Sequence, residues 1–121
     1  MRIFLVENHP DTLIYVRRHL ERAGHEVATA RGVVEALTAI VDSRPDVLLT
    51  DLCLPDGDGC SLLEMLGPAR PAIAILMTGS ANTEVLTRST VVGFQAHLAK
   101  PFLPDELDRA LNDAANSVSR G

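Results

Sequence analysis

Four short apolar runs in this chain each end in residues able to do chemistry. Ile3-Phe4-Leu5-Val6 ends in Glu7-Asn8, and Val47-Leu48-Leu49-Thr50 ends in Asp51. Ile73-Ala74-Ile75-Leu76-Met77 ends in Thr78-Gly79, and a fourth run closes at Ala99 with Lys100-Pro101 behind it. Carboxylates and an amide are hard oxygen donors of the kind a divalent cation prefers. An ammonium and a hydroxyl suit a phosphoryl anion. After Asp51 comes Leu52-Cys53-Leu54-Pro55-Asp56-Gly57-Asp58-Gly59, rich in turn residues. That pattern reads as a strand delivering one carboxylate to its C-terminal edge, where ligands bind in open α/β sheets. The four endings suggest one metal and phosphate site assembled from the whole chain.

Short strands and helical periods alternate to place those endings. Residues 2–6 read as the first strand. Leu13, Val16, Leu20 and Ala23 keep a helical spacing from Pro10 to Ala23, and Gly24 stops that helix. Glu26–Thr29 reads as an edge-like second strand. Val33, Ala36, Leu37, Ile40 and Val41 form the apolar stripe of a helix over Val33–Asp42, broken by Pro45. The third strand is Val47–Thr50, and the third helix Ser61–Leu66 is ended by Gly67-Pro68. Ala72–Met77 is the fourth strand, and Thr83–Thr90 a helix of weak propensity, crowded with Thr and Val. Gln95–Leu98 is the fifth strand. The last helix opens with Pro104, Asp105 and Glu106, which suit proline geometry and the helix dipole. It runs through Leu107, Ala110, Leu111 and Ala114, and residues 116–121 turn polar, as a frayed end or the start of a linker. Five alternating strands and helices predict a parallel sheet covered on both faces. The first, third and fourth strands are apolar on both pleat faces, as covered central strands should be.

Totals narrow the function. The length of 121 residues fits one domain, 1–121. A 46% hydrophobic content with only 3% aromatics calls for an aliphatic core. Sixteen acids against 11 Lys and Arg give a net charge of −5, which offers no basis for nucleic-acid binding. No apolar run approaches the roughly 20 residues that span a bilayer, and the start lacks the form of a secretion signal. Cys53 and Cys60 match no zinc spacing, so reduced thiols in a cytoplasmic protein are expected. Asp56-Gly57-Asp58-Gly59 is no EF-hand loop, since a strand lies upstream and Leu54 stands where an acid is needed. No Gly-rich phosphate loop follows the first strand.

Taken together, Glu7-Asn8, Asp51 through Gly59, Met77-Thr78-Gly79 and Lys100-Pro101-Phe102, in this order, resemble the receiver domain of two-component response regulators, over essentially the whole chain. The resemblance implies a flavodoxin-like (βα)5 three-layer sandwich with strand order 2-1-3-4-5. It implies a phosphoryl group taken from a sensor histidine kinase or a histidine phosphotransfer protein. Such a chain is a phosphoacceptor rather than an enzyme, at most catalysing its own phosphorylation and dephosphorylation.

By the same resemblance, Asp51 is the phosphoacceptor, and Mg²⁺ is surrounded by Asp51, the Cys53 backbone carbonyl, Glu7 and Asn8. Glu7 matches the first acid of the family's pair and would reach the metal through water. Asn8 departs from the family, which usually carries a second aspartate there. An amide oxygen can ligate but brings no charge, so Mg²⁺ binding should be weaker. The alternative is a degenerate receiver that binds partners without phosphate. Lys100 would pair with the acyl phosphate and, at rest, with Asp51. The Lys100-Pro101 bond resembles the family's cis peptide. Thr78 would donate its hydroxyl to the phosphoryl group, with Gly79 leaving room.

His97 stands where the family often carries an aromatic switch. It is either that ring, with a charge that titrates near neutrality, or a solvated strand-end histidine. His9, His19 and His25 show no metal spacing and read as surface residues. By the resemblance, Cys53 and Ser80 occupy positions that in the family tune phosphoryl lifetime, and neither supplies a strong base, so a moderately long-lived state is expected. The face of helix 4, strand 5 and helix 5 is the expected surface for a partner, an output domain or a second copy. A flavodoxin-like ligand binder would need an aromatic pocket, and only Phe4, Tyr15, Phe94 and Phe102 are available.

Overall fold

A computed structural model describes residues 1–79 and 82–120, the side chains of 119 and 120 aside. Five strands, β1 (Arg2–Val6), β2 (Glu26–Ala30), β3 (Val47–Asp51), β4 (Ile73–Thr78) and β5 (Ala96–Ala99), form one parallel sheet in the order β2-β1-β3-β4-β5. The connecting helices are α1 (Pro10–Arg22), α2 (Val33–Ser43), α3 (Gly59–Leu66), α4 (Thr83–Val92) and α5 (Pro104–Arg120).

The period-two alternation of strand side chains divides the core between two faces. Ile3, Leu5, Val47, Leu49, Ile75 and Met77 point to one side, where Val16 and Leu20 of α1 and Leu107, Leu111 and Ala114 of α5 meet them. Phe4, Val6, Leu48, Ala74 and Leu76 point to the other, against Val33, Ala36 and Ile40 of α2 and Leu62, Leu63 and Leu66 of α3. This is the expected three-layer sandwich and strand order. Helix α4 covers least: of its side chains only Ser89 is buried.

Several expected boundaries shift. Helix α1 ends at Arg22, with Ala23 as its C-cap and Gly24 in the left-handed region at φ +94°. Helix α2 runs one residue further, to Ser43, and closes on Arg44 at φ 47° before Pro45. Val41, expected on its buried stripe, is exposed, because the covered stripe runs along Val33, Ala36 and Ile40, with Leu37 and Ala39 packed at its edge. Strands β2 and β3 each extend one residue, to Ala30 and Asp51. Helix α3 starts at Gly59, not Ser61, because Asp58 caps it by accepting from Ser61 N at 2.8 Å. Strands β4 and β5 each slide one residue toward the C-terminus. Gln95 stays bonded to the neighbouring strand, its backbone N donating to the Ala74 carbonyl (3.0 Å) while its side chain accepts from Ala74 N (2.7 Å) and donates to the Ala72 carbonyl (2.8 Å); the paired register begins one residue on, with Ile75 beside Ala96. Helix α4 reaches Val92, and residues 116–120, expected as an end or a linker, continue α5.

Candidate functional site

All four expected endings lie at the C-terminal edge of the sheet. Because β1 and β3 are neighbours with Val6 beside Thr50, Glu7 and Asp51 emerge side by side. Because β3 pairs with β4 and β4 with β5, Asp51 lies beside Met77 and Thr78 beside Ala99. The backbone closes the arrangement: Leu52 N donates to the Met77 carbonyl and Lys100 N to the Thr78 carbonyl, both at 2.9 Å.

Lys100 joins the two acids. Its Nζ donates to Asp51 Oδ2 at 3.0 Å and also to Glu7 Oε1. Glu7 is 1% exposed, and its Oε2 accepts from His9 N at 3.0 Å, so both its oxygens are satisfied inside the protein. Asp51 is 15% exposed at its side chain and faces the site mouth. Burial raises the Asp51 carboxyl above its ordinary value, against the pull of the Lys100 hydrogen bond and with the help of the Glu7 charge. Burial alone would depress Lys100, but its bonds to Glu7 and Asp51 outweigh that and hold it above its usual value. Two carboxylates against one ammonium leave one net negative charge at the centre.

Thr78 is buried at the end of β4, and a Cβ built at Gly79 meets nothing within 4 Å. The Lys100-Pro101 peptide is cis, as the resemblance implied. Asn8 is exposed, and its carbonyl accepts from Arg31 Nη2 at 3.1 Å. Cys53 is exposed at the rim, and Cys60 is buried, with burial pushing its thiol up. The reading of Ser80 lies outside the described residues. Among the described residues no three His, Cys, Asp or Glu side chains cluster as a metal site.

His97 corrects one of its two alternatives. It is half-buried within β5, not solvated at a strand end, and its Nε2 is hydrogen bonded to Ser89 Oγ on α4. The Ser89 hydroxyl donates to the Leu86 carbonyl at 2.9 Å, which leaves its oxygen to accept from His97. Burial lowers the imidazole below its ordinary value. Of the other histidines, His19 pairs with Asp108 at 2.8 Å and ties α1 to α5, while His9 is the N-cap residue of α1 and does not cap it with its side chain.

Several residues around the site escape sequence reasoning. Asp56 reaches α2 and accepts from Val33 N and Val34 N. Arg88 of α4 donates to both carboxylate oxygens of Asp58 at 3.2 Å, and Arg70 donates to the Val92 carbonyl at the end of α4 at 2.7 Å. The sequence holds a signal for Asp56: α2 begins behind Gly32, which has no side chain to cap it. The two carboxylates of Asp56-Gly57-Asp58-Gly59 thus serve two helix starts, Asp56 that of α2 and Asp58 that of α3.

A family model described as the response regulator receiver domain matches residues 3–112. The sporulation initiation phosphotransferase F of Bacillus subtilis is 27% identical over 111 residues, covering 91% of this chain and 90% of that protein. The crystal structure of a CheY-like receiver domain protein from Methanospirillum hungatei superposes with a TM-score of 0.91 at 30% identity, covering 98% of this chain and 96% of that one. The receiver domain of a sensor histidine kinase from Pseudomonas aeruginosa, with a magnesium ion coordinated in its active site cleft, superposes with a TM-score of 0.85 at 27% identity, covering 95% and 97%. Longer curated relatives extend well beyond this chain, which spans 16% to 46% of their length. No helix among the described residues is long and apolar enough to cross a membrane. With its strand order, its strand-end acids and its lysine, the chain belongs to the response regulator receiver domain family, a domain of two-component signalling.

Proposed function

We propose that this receiver takes a phosphoryl group onto Asp51 from a histidine kinase or a histidine phosphotransfer protein, and passes the change to the face of α4, β5 and α5. The observation that carries the reading is the Lys100 ammonium, 3.0 Å from Asp51 Oδ2 and bonded as well to Glu7 from a third strand end. In the step itself, an Asp51 oxygen attacks phosphorus in line, an O–P bond forms, the donor's N–P bond breaks, and the imidazole leaves with a proton. Lys100 and the Thr78 hydroxyl then face the new phosphoryl oxygens. The reaction is self-catalysed on this chain and turns over no separate substrate.

A divalent metal fits the donor chemistry. Burial keeps the Asp51 carboxyl raised and the Glu7 carboxylate beside it adds to this, so a dication at the pair would favour the ionised acid. Asp51, the Cys53 carbonyl and the Asn8 amide would hold Mg²⁺, with Glu7 behind a water; the magnesium in the Pseudomonas receiver's cleft supports this choice. When bound, Mg²⁺ would neutralise the charge that builds on the phosphoryl oxygens.

Switching needs two nearly balanced states that the phosphoryl group biases. Helix α4 suits this, with Ser89 its only buried side chain and the Ser89–His97 bond joining it to β5. On this reading that face is the surface for an output domain or a second copy, and the exchange takes place in the cytoplasm. Incubation with a phosphohistidine-bearing donor tests the reading. Transfer of a hydroxylamine-labile phosphoryl group, abolished by Asp51→Ala, is expected; no transfer from any phosphohistidine donor or acyl phosphate would leave a receiver working without phosphate.

A further inference from the structure

The start of α2 lies between the two loops that carry the site's oxygen donors, and it is fastened to both. The N-cap of α2 is Gly32, which offers no side-chain acceptor to the free amides of the first turn. Asp56, in the loop between β3 and α3, supplies it from across the fold: Oδ1 accepts from Val33 N at 2.7 Å and Oδ2 from Val34 N at 3.1 Å. The approach is close enough to exclude a side chain at position 32, where a Cβ would lie 2.8 Å from Asp56 Oδ1. Next in line, Gly57 holds φ +155°, and a Cβ there would lie 3.1 Å from Val33 Cγ2. On the other side, Arg31 Nη2 donates to the Asn8 carbonyl and Glu7 N donates to the Ala30 carbonyl, both at 3.1 Å.

A helix that needed only a cap could take one from Ser, Thr, Asp or Asn at its own N-cap position. Drawing the acceptor from Asp56 makes the cap a tether as well. It ties α2 to the segment that begins at Asp51 and passes through Cys53, while Arg31 ties α2 to the segment of Glu7 and Asn8. Beyond the β1–β3 pairing that sets them side by side, the two donor-bearing loops are thereby fastened to one helix start.

We propose that Asp56 is a positioning residue for the phosphoryl-transfer site, fixing the Asp51–Cys53 loop against α2 while Arg31 fixes the Asn8 loop to the same helix start. The inference rests on the phosphoacceptor reading above. It separates from ordinary helix capping through a compensating variant. Asp56→Ala removes cap and tether together. Asp56→Ala with Gly32→Ser restores a cap from α2's own extended N-cap residue, at φ −158°, in the space the carboxylate vacated, and leaves the tether cut.

Urea unfolding, Mg²⁺ calorimetry and the rate of phosphorylation by acetyl phosphate are measured on wild type and both variants. The double variant is expected to regain stability over Asp56→Ala, yet to bind Mg²⁺ about tenfold more weakly than wild type, the scale on which supporting partners of metal ligands act. Its phosphorylation rate should be reduced at low Mg²⁺ and recover at saturating Mg²⁺. His19→Ala, which breaks the α1–α5 pair away from these loops, is the control for general loss of stability. Mg²⁺ affinity that returns to the wild-type value with the restored cap, or falls equally in His19→Ala, would overturn the proposal. A wild-type chain that neither binds Mg²⁺ nor accepts a phosphoryl group would sink the phosphoacceptor reading. The tether is then read from amide hydrogen exchange at Leu52 and Gly59: exchange about tenfold faster in the double variant upholds it, and unchanged exchange overturns it.

Discussion

Lys100 stands between two carboxylates that burial would otherwise set against each other, and the state of this trio decides what the site can bind. A second acid in place of Asn8 would raise the negative charge facing a cation. Asn8→Asp is therefore expected to tighten Mg²⁺ binding by about 1–2 kcal/mol, the scale of one added charge in a partly exposed site, and calorimetry that finds equal affinities would show that position 8 is indifferent. His97 carries a second prediction at this scale. Its folded-state value is lowered by burial, so below the ordinary 6.5 the unfolded chain binds more protons than the folded one. Stability should fall as pH drops below that value and level off once the folded histidine also titrates. In urea unfolding, His97→Phe should lose less stability than wild type between about pH 7 and pH 5. His25, also lowered by burial, supplies a remainder of the same sign.

Among the elements, α4 is the one whose packing least explains its place. It buries a single serine, and its anchors are polar: Asn82 accepts from Val85 N at its start, Arg88 pairs with Asp58, and Arg70 holds the Val92 carbonyl at its end. Asp58 therefore serves two helices. Burial would raise its carboxyl, but the Ser61 amide and Arg88 outweigh this and hold it below the ordinary 3.8. The folded state thus binds the proton less readily, and the contribution is present above that value and lost as pH falls through the lower folded value. Asp58→Ala should cost about 1 kcal/mol near neutrality, and its deficit against wild type should shrink in urea unfolding curves taken toward pH 3. These polar anchors also mark where sequence reading runs out. The apolar periods of β1, β3, β4 and the buried stripe of α2 are legible because burial on a fixed face leaves a repeating pattern. A carboxylate that caps a helix two elements away, as Asp56 does, leaves no local period. The slide of β4 and β5 is hidden for a similar reason: Gln95 is bonded to the neighbouring strand by backbone and side chain alike, and no local pattern tells it from a ladder residue.

At the scale of the whole molecule, parallel pairing brings every strand's C-terminal end to one edge, and this makes the site legible before any coordinate is known. Glu7, Asp51, Thr78 and Lys100 come from four strands, and only the order β1-β3-β4-β5 sets them beside one another. That order follows from the family resemblance rather than from periodicity, which fixes strands but not their neighbours. Gly59 shows how closely the layers meet behind the site: a Cβ there would lie 2.5 Å from the Asp51 carbonyl and 2.9 Å from Thr50 Cγ2. Helix α3 consequently begins directly behind Asp51. By the function proposed above, this converging edge makes Asp51 the phosphoacceptor. Intact mass after exposure to acetyl phosphate and Mg²⁺, with Asp51→Ala alongside, tests it most directly. A gain of one phosphoryl group on the wild-type chain, lost in Asp51→Ala and when the metal is chelated, is expected; an unmodified wild type, or a variant modified equally, would contradict the proposed function.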